Sequence, residues 1–480
     1  MGVDLRPVVP ALIVAVTGVI VLLAQAFAGR GKASPSMPLS LLGLFGALAS
    51  VIVLAARGVR GATLGGAYVL DDFSLFLHGL ILSVGIVALL ISPSYLRATG
   101  AERGEYYALV LFSIVGMLGL VSCLELVALF VALEIMSVAL YGAAGLHRTR
   151  PESTEAAMKY FLTGAFSSAF FLYGVALLYG ASGSTWVDRI AAAVAGGGEG
   201  GTLALLGAGM LLVGFGFKVA SVPFHMWAPD VYEGAPTTVT AVMAAGVKAA
   251  AFGGFVRVFL RALPGLSEQW EPAVAALALV TMVVGNLGAL AQSNLKRMLA
   301  YSSVAHAGYL LTALVAGDGA GTQAILFYLV AYALVNLGGF GALAALARSG
   351  REPLWLDDVA GLARRRPALA AAIAVYMVSL TGVPVSAGFV GKFYLFRAAV
   401  EAGYVTLAIV GFLASVVSAY YYLRVVVAMY MREPVGEDGW AHVSTASAAA
   451  LAFTAIVVLG LGVYPGPVLD WADVAARSLL

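Results

Sequence analysis

Apolar residues along this chain of 480 fall into unbroken runs of roughly 20, the length a helix needs to cross a hydrocarbon layer, each bordered by charged or turn-forming residues. A barrel strand would alternate over about ten residues, and no such alternation is present. The borders predict fourteen helices, near 7–29, 36–57, 71–93, 105–122, 124–145, 155–181, 201–227, 237–260, 271–292, 296–315, 320–348, 366–402, 404–431 and 445–465. The expected fold is therefore an all-α polytopic membrane protein. Small residues near Ala26 and Ala28 mimic a signal-peptide cleavage site, but the first apolar run is too long and Asp4 offsets Arg6, so this helix is expected to be retained. Trp186 to Ala195 has the pattern of a short amphipathic helix on the outer surface, and the residues after 465 read as a tail.

Proline and glycine interrupt two of these helices. The seventh carries Gly214 and Lys218 and then meets Pro223, Pro229, Gly234 and Pro236; the twelfth carries Gly382, Pro384, Gly388 and Lys392. Both contain Gly-Phe-x-x-Lys beside a helix breaker, five helices apart, so the two would run in opposite directions. Paired broken helices in inverted repeats mark the ion path of transporters. On this reading helices 1 to 3 occupy 1–104, a first inverted five-helix repeat 105–262, a second 263–432, and the last helix with its tail 433–480.

Composition sharpens the picture. Only 11% of residues are charged, against about 25% in an ordinary soluble domain, which excludes a soluble fold. A net charge of +2 says little about partners, and no basic patch marks nucleic-acid binding. The single cysteine, Cys123, excludes a disulfide framework and a thiolate iron–sulfur cluster, and the five histidines lack metal-ligand spacing. No redox cofactor is expected on this chain. Basic residues are twice as frequent after odd-numbered helices, where Arg30, Lys32 and Arg351 are counted, as on the opposite side, where Arg257 is counted. That bias puts the odd loops in the cytoplasm and both termini outside the cell membrane.

Six basic residues, Lys159, Lys218, Lys248, Lys392, Arg397 and Arg424, nevertheless lie inside predicted helices, with one deep acid, Glu134. Four lysines and a glutamate at mid-membrane would cost roughly 12–18 kcal/mol if left unpaired, so pairing, hydration or use is implied. Burial drives a lysine toward the neutral amine and a glutamate toward the neutral acid, and a nearby opposite charge reverses both, which makes a Glu–Lys pair a proton switch. Arginine keeps its proton and cannot serve in this way. We read Glu134 and Lys218 as such a pair, Lys248 as the next carrier and Lys392 as the terminal one, with His225 and His306 bridging gaps through water. Lys159, one turn from the cytoplasmic end, is either a further site or a snorkelling cation. Arg397 and Arg424 are expected to anchor carbonyls or acids, His78 to sit at the interface, and Tyr420, Tyr421 and Tyr422 to serve packing and interfacial hydrogen bonding.

The segment KVASVPFHMWAPDVYEGAPTT from Lys218, together with LKRMLAYSSVAHAGY from Leu295, GFVGKF from Gly388 and ALEIMSVALY around Glu134, resembles the antiporter-like subunits of respiratory complex I. The PDVYEGAP wording and short C-terminus are most similar to the N-type subunits of bacterial NADH:quinone oxidoreductase. The long lateral helix of the L type has no room here, and Lys392 stands where the M type has glutamate. The resemblance implies the same four sites, Glu134, Lys218, Lys248 and Lys392, and adds Lys159 and Lys296, the latter otherwise read as a loop residue. It implies a proton-translocating subunit in a hetero-oligomer with other complex I membrane subunits. NADH, FMN, iron–sulfur clusters and quinone would belong to partner subunits. A subunit of a multisubunit Na+/H+ antiporter and a structural membrane subunit with inert paired charges remain the alternatives.

Overall fold

The computed structural model describes all residues except 1–3, 28–34, 196–199, 318, 349–351, 353, 435–442 and 480. Arg30, Lys32 and Arg351, counted in the charge bias, lie outside the described residues.

All fourteen expected segments are helical. The first six are Val9–Phe27, Ser36–Ala56, Asp72–Ala98, Gly104–Ser122, Leu126–Ala144 and Pro151–Ser182. The seventh is split into Gly201–Val219 and Trp227–Gly234, and the eighth runs Thr237–Ala262. The ninth to eleventh are Ser267–Leu290, Leu295–Leu314 and Gly319–Ala345. The twelfth is split into Pro367–Thr381 and Ala387–Glu401, and the last two are Val405–Met431 and Thr445–Val463. Among the described residues, twelve spans are long and apolar enough to cross a membrane. The other two are the tenth, which carries Lys296, Arg297 and His306, and the broken twelfth.

Local chemistry sets the boundaries. Asp71 caps the third helix through a capping box with Ser74. Glu125 caps the fifth by accepting from the amides of Val127 and Ala128, and Asn294 caps the tenth by accepting from Lys296 and Arg297. The short helix expected near Trp186 is present as Val187–Ala195. Trp186 bridges to Glu125 as Trp355 bridges to Asn294. Close helix contacts recur in the same way. A Cβ on Gly116 would lie 2.3 Å from the Met136 backbone nitrogen, and one on Gly285 would lie 2.5 Å from that of Ala305. A single constant step along the sequence relates Gly116 to Gly285, Glu125 to Asn294 and Trp186 to Trp355.

Several expectations are corrected. The tail is a helix, Gly466–Leu479, whose apolar side holds Leu469, Ala472, Ala475, Ala476 and Leu479. It lies on the third helix, with the Trp471 ring 4.7 Å from Phe76 and Ser478 accepting from the Phe73 amide. A two-stranded antiparallel hairpin, Gly61–Thr63 with Tyr68–Leu70, joins the second and third helices. His78 is fully buried and bonds Ser122 and the Leu118 carbonyl, because the third helix is enclosed by protein along most of its length. Arg257 is no loop residue. It is fully buried in the eighth helix and forms a fork with both oxygens of Asp71 at 2.8 and 2.9 Å. Burial opposes ionisation of Asp71, and the Arg257 guanidinium overcomes it, holding that carboxyl below its ordinary range.

Candidate functional site

The eighth helix is buried along its whole length and carries two wide π turns, Met243–Val247 and Val258–Ala262. Lys248 follows the first of them. Its Nζ donates 2.5 Å to the carbonyl and 2.6 Å to the hydroxyl of Ser303 in the tenth helix, and lies 5.5 Å from the Tyr332 ring centre.

Lys218 sits in the last turn of Gly201–Val219 and donates 2.7 Å to Ser137 Oγ. Tyr141, Tyr160 and Phe217 present their rings 5.5–5.9 Å from its ammonium. Glu134, one turn before Ser137, faces away: Ser168 Oγ donates to it at 2.5 Å, and it lines an apolar groove with Phe112, Phe130 and Val131. The expected Glu134–Lys218 ion pair is therefore not closed. The carboxylate is engaged by Ser168 of the sixth helix, while the lysine is held by Ser137 within an aromatic cage.

Lys392 follows the second break. Its Nζ donates 2.8 Å to Leu380 O, 3.0 Å to Thr381 O and 2.6 Å to Ser415 Oγ, and lies 5.1 Å from the Tyr309 ring centre. The first half of the twelfth helix ends at Gly382 (φ +87°), which leaves those last carbonyls without helical partners. The Gly-Phe-x-x-Lys match thus conceals a difference. Lys218 precedes its break and Lys392 follows its own, yet both ammoniums end near the C-terminal turn of a first half-helix, where the helix dipole favours a cation. Lys218, Lys248 and Lys392 are 3%, 2% and 5% exposed, and among the described residues none has a carboxylate within ion-pair distance.

His306 is buried between Lys248 and Lys392, its two nitrogens engaged by the hydroxyls of Tyr328 and Tyr422. Tyr422 forms its hydrogen bonds from a fully buried position and not at an interface. His225 does not join this chain: it is half-buried in the seventh-helix break with Nδ1 unpartnered, and its nearest recorded ring is Tyr301 at 6.5 Å.

A second, ionic cluster includes Lys159 and Lys296. Lys159 bonds Asp230 at 2.6 Å and Glu155 at 2.7 Å and is 42% exposed, so it is an ion-paired surface cation. Arg297 joins Asp230 to Glu233. Lys296 is buried in the tenth helix, not in a loop, and donates to Ala235 O at 2.7 Å and Glu352 Oε2 at 3.2 Å. Glu352 also accepts from Tyr95, Thr237 and Arg150. Burial opposes its charge, but Lys296 and these donors more than offset that and hold the carboxyl down at about 2. Asp230 and Glu233 belong to the PDVYEG segment and were visible as motif letters. Glu352 and Tyr95 had no signal, since a loop acid and a helical tyrosine look ordinary until folding brings them to Lys296. Arg397 pairs with Glu401 and Arg424 donates to Gln292 O, as anchoring groups would.

Comparison with known proteins identifies the family. Residues 123–418 match the family described as NADH:quinone oxidoreductase/Mrp antiporter, TM. NADH-quinone oxidoreductase subunit N of Chloroflexus aggregans is 46% identical over 100% of this chain and 98% of its own, and that of Trichlorobacter lovleyi is 43% identical over 99% and 98%. A chain of respiratory complex I from Thermus thermophilus aligns with TM-score 0.82 at 39% identity, covering 96% of this chain and 98% of that one. One from the Mrp complex of Dietzia aligns at 0.88 with 23% identity over 99% and 98%, a likeness of fold alone. With its full length matched at such identity, this chain belongs to the NADH:quinone oxidoreductase/Mrp antiporter transmembrane family, beside the subunit N relatives.

Proposed function

We propose that this chain is the proton-translocating membrane subunit of an NADH:quinone oxidoreductase in a bacterial cell membrane. Lys218, Lys248 and Lys392 are its proton carriers, His306 the link between the last two, and Glu134 the acid that modulates Lys218 across Ser137. The observation that carries this reading is three buried lysines whose acceptors among the described residues are hydroxyls and carbonyls, beside ring faces, with no carboxylate. A lysine kept as a permanent structural cation would be expected to have a carboxylate, as Lys296 and Arg257 have. One that gains and loses its proton is better served by neutral acceptors that suit both forms. The constant step that relates the Gly116, Glu125 and Trp186 features to their later counterparts supports two repeats, 105–262 and 263–432; it carries Glu134 onto Ser303, the partner of Lys248.

Moving a proton against roughly 150–200 mV takes about 3.5–4.5 kcal/mol, which this subunit must receive from electron transfer in partner subunits bearing NADH, FMN, iron–sulfur clusters and quinone. Identity of 43–46% over nearly the whole chain to relatives named NADH-quinone oxidoreductase subunit N favours this over ion-gradient-driven antiport. Lys218→Ala in the intact complex, reconstituted in vesicles, is expected to reduce NADH-coupled proton translocation by about tenfold or more. An unchanged proton-to-electron ratio would refute the assignment. Co-purification of small antiporter subunits, in place of NADH-oxidising ones, would point to antiport.

A further inference from the structure

His306 is 2% exposed, and both of its ring nitrogens are engaged by phenols. Nδ1 meets the Tyr328 hydroxyl and Nε2 the Tyr422 hydroxyl, the latter at 3.0 Å. A neutral imidazole has one N–H, so one phenol accepts from the ring while the other donates to the bare nitrogen. Each phenol touches a residue next in sequence to one that holds, or is, a different lysine. Tyr422 Oη also bonds Ser302 Oγ, and the next residue, Ser303, holds Lys248 through its carbonyl and hydroxyl. The Tyr328 ring lies against Gly391, where an added Cβ would come within 2.4 Å of it, and the residue after Gly391 is Lys392.

We propose that Tyr422 and Tyr328 are themselves proton carriers, the two hydroxyl terminals of a relay through His306 that joins Lys248 to Lys392. This rests on the reading of those lysines as carriers. Written in one direction, a proton arriving at Ser302 Oγ from the Lys248 side displaces that hydroxyl's own proton onto Tyr422 Oη, and the phenol's proton passes in turn onto Nε2. The imidazolium so formed gives its Nδ1 proton to Tyr328 Oη, whose own proton leaves toward Lys392. One proton enters and one leaves, no phenolate remains, and the imidazole is left as the opposite tautomer. The hydroxyl protons must turn back before the next passage, so the relay carries one proton per reorientation.

The test uses the intact complex in vesicles during NADH oxidation. Tyr422→Phe keeps the ring against Tyr421, at 4.4 Å between centres, and removes only the hydroxyl. Proton translocation is expected to fall about tenfold, and likewise for Tyr328→Phe. A fluorinated tyrosine at 422 keeps ring and hydroxyl but makes the phenol more acidic. A proton carrier then shifts the pH profile of translocation, whereas a hydroxyl that only holds the imidazole in place leaves it unmoved. The titratable groups facing this pair, Lys248, Lys392, Tyr309, Tyr332 and Tyr421, stay unaltered in every tyrosine variant. Full translocation by both phenylalanine variants, or an unshifted profile with the fluorinated residue, overturns the relay; the second measurement decides if a phenylalanine variant fails to assemble. Lys392→Ala in the same vesicles separates the two readings. If it abolishes translocation while both phenylalanine variants translocate normally, the lysine chain stands and the relay falls; if it too translocates normally, the lysine chain itself has failed.

Discussion

Lys248 illustrates how a single residue type follows from its surroundings. Its acceptors are one backbone carbonyl and one hydroxyl on the same residue, Ser303, with an aromatic face alongside. That site can hold an ammonium or, once the proton has gone, an amine that still donates. Arginine would keep the charge but retain its proton, and its planar fork has no matching pair of carboxylate oxygens here. Lys248→Arg is therefore expected to lose NADH-coupled translocation as fully as Lys248→Ala, by about tenfold or more. Proton flux in vesicles of the intact complex checks this, and normal flux with arginine would show that charge alone suffices. Lys218, Lys248 and Lys392 were legible in the sequence because a lysine amid apolar residues is anomalous on composition alone. Ser137, Ser303 and Ser415, their partners, were not, since serine is unremarkable in a membrane helix and only packing selects which ones face an ammonium.

At the scale of elements, the connector between the eleventh and twelfth helices works as a clamp. Leu354 O accepts from the Leu295 amide and Leu356 N donates to Ser293 O, so this strand-like piece lies along the cap of the tenth helix. Glu352 fixes it to Lys296, Thr237, Tyr95 and Arg150. Its carboxyl, held at about 2 against an ordinary value of 4.5, favours the ionised form in the folded protein. The stabilisation, on the order of 3 kcal/mol, is thus fully present above the ordinary carboxyl range and is lost as pH falls from about 4.5 toward 2. Glu352→Gln at neutral pH is expected to loosen the clamp, with faster amide hydrogen exchange at Leu295 and over 354–360 but not in the seventh helix. Equal protection in both proteins would mean the backbone bonds alone hold the connector. The two helix breaks were readable from proline and glycine; that the lysines lie on opposite sides of them was not, because the motif records order and not where the half-helices end.

For the whole molecule, the charge bias yields a topology that can be checked directly. With both termini outside, the Val187–Ala195 helix faces outward and the loop before the fourth helix faces the cytoplasm. Arg189→Cys is expected to react with a membrane-impermeant maleimide added to whole cells, and Arg103→Cys only after the membrane is opened; the reverse pattern would invert the molecule. The native Cys123 is buried and gives little background. Membrane class and anomalous charges were settled by the sequence, because a hydrocarbon layer tolerates only long apolar helices and penalises every charge it contains, so both leave a local signature. Tertiary structure alone decided that Glu134 turns from Lys218 toward Ser168, that His306 rather than His225 lies between two lysines, and that Glu352 reaches Lys296. Those are contacts between residues far apart in the chain, where hydrogen-bond geometry and competition for a few partners choose the outcome and no local pattern records it.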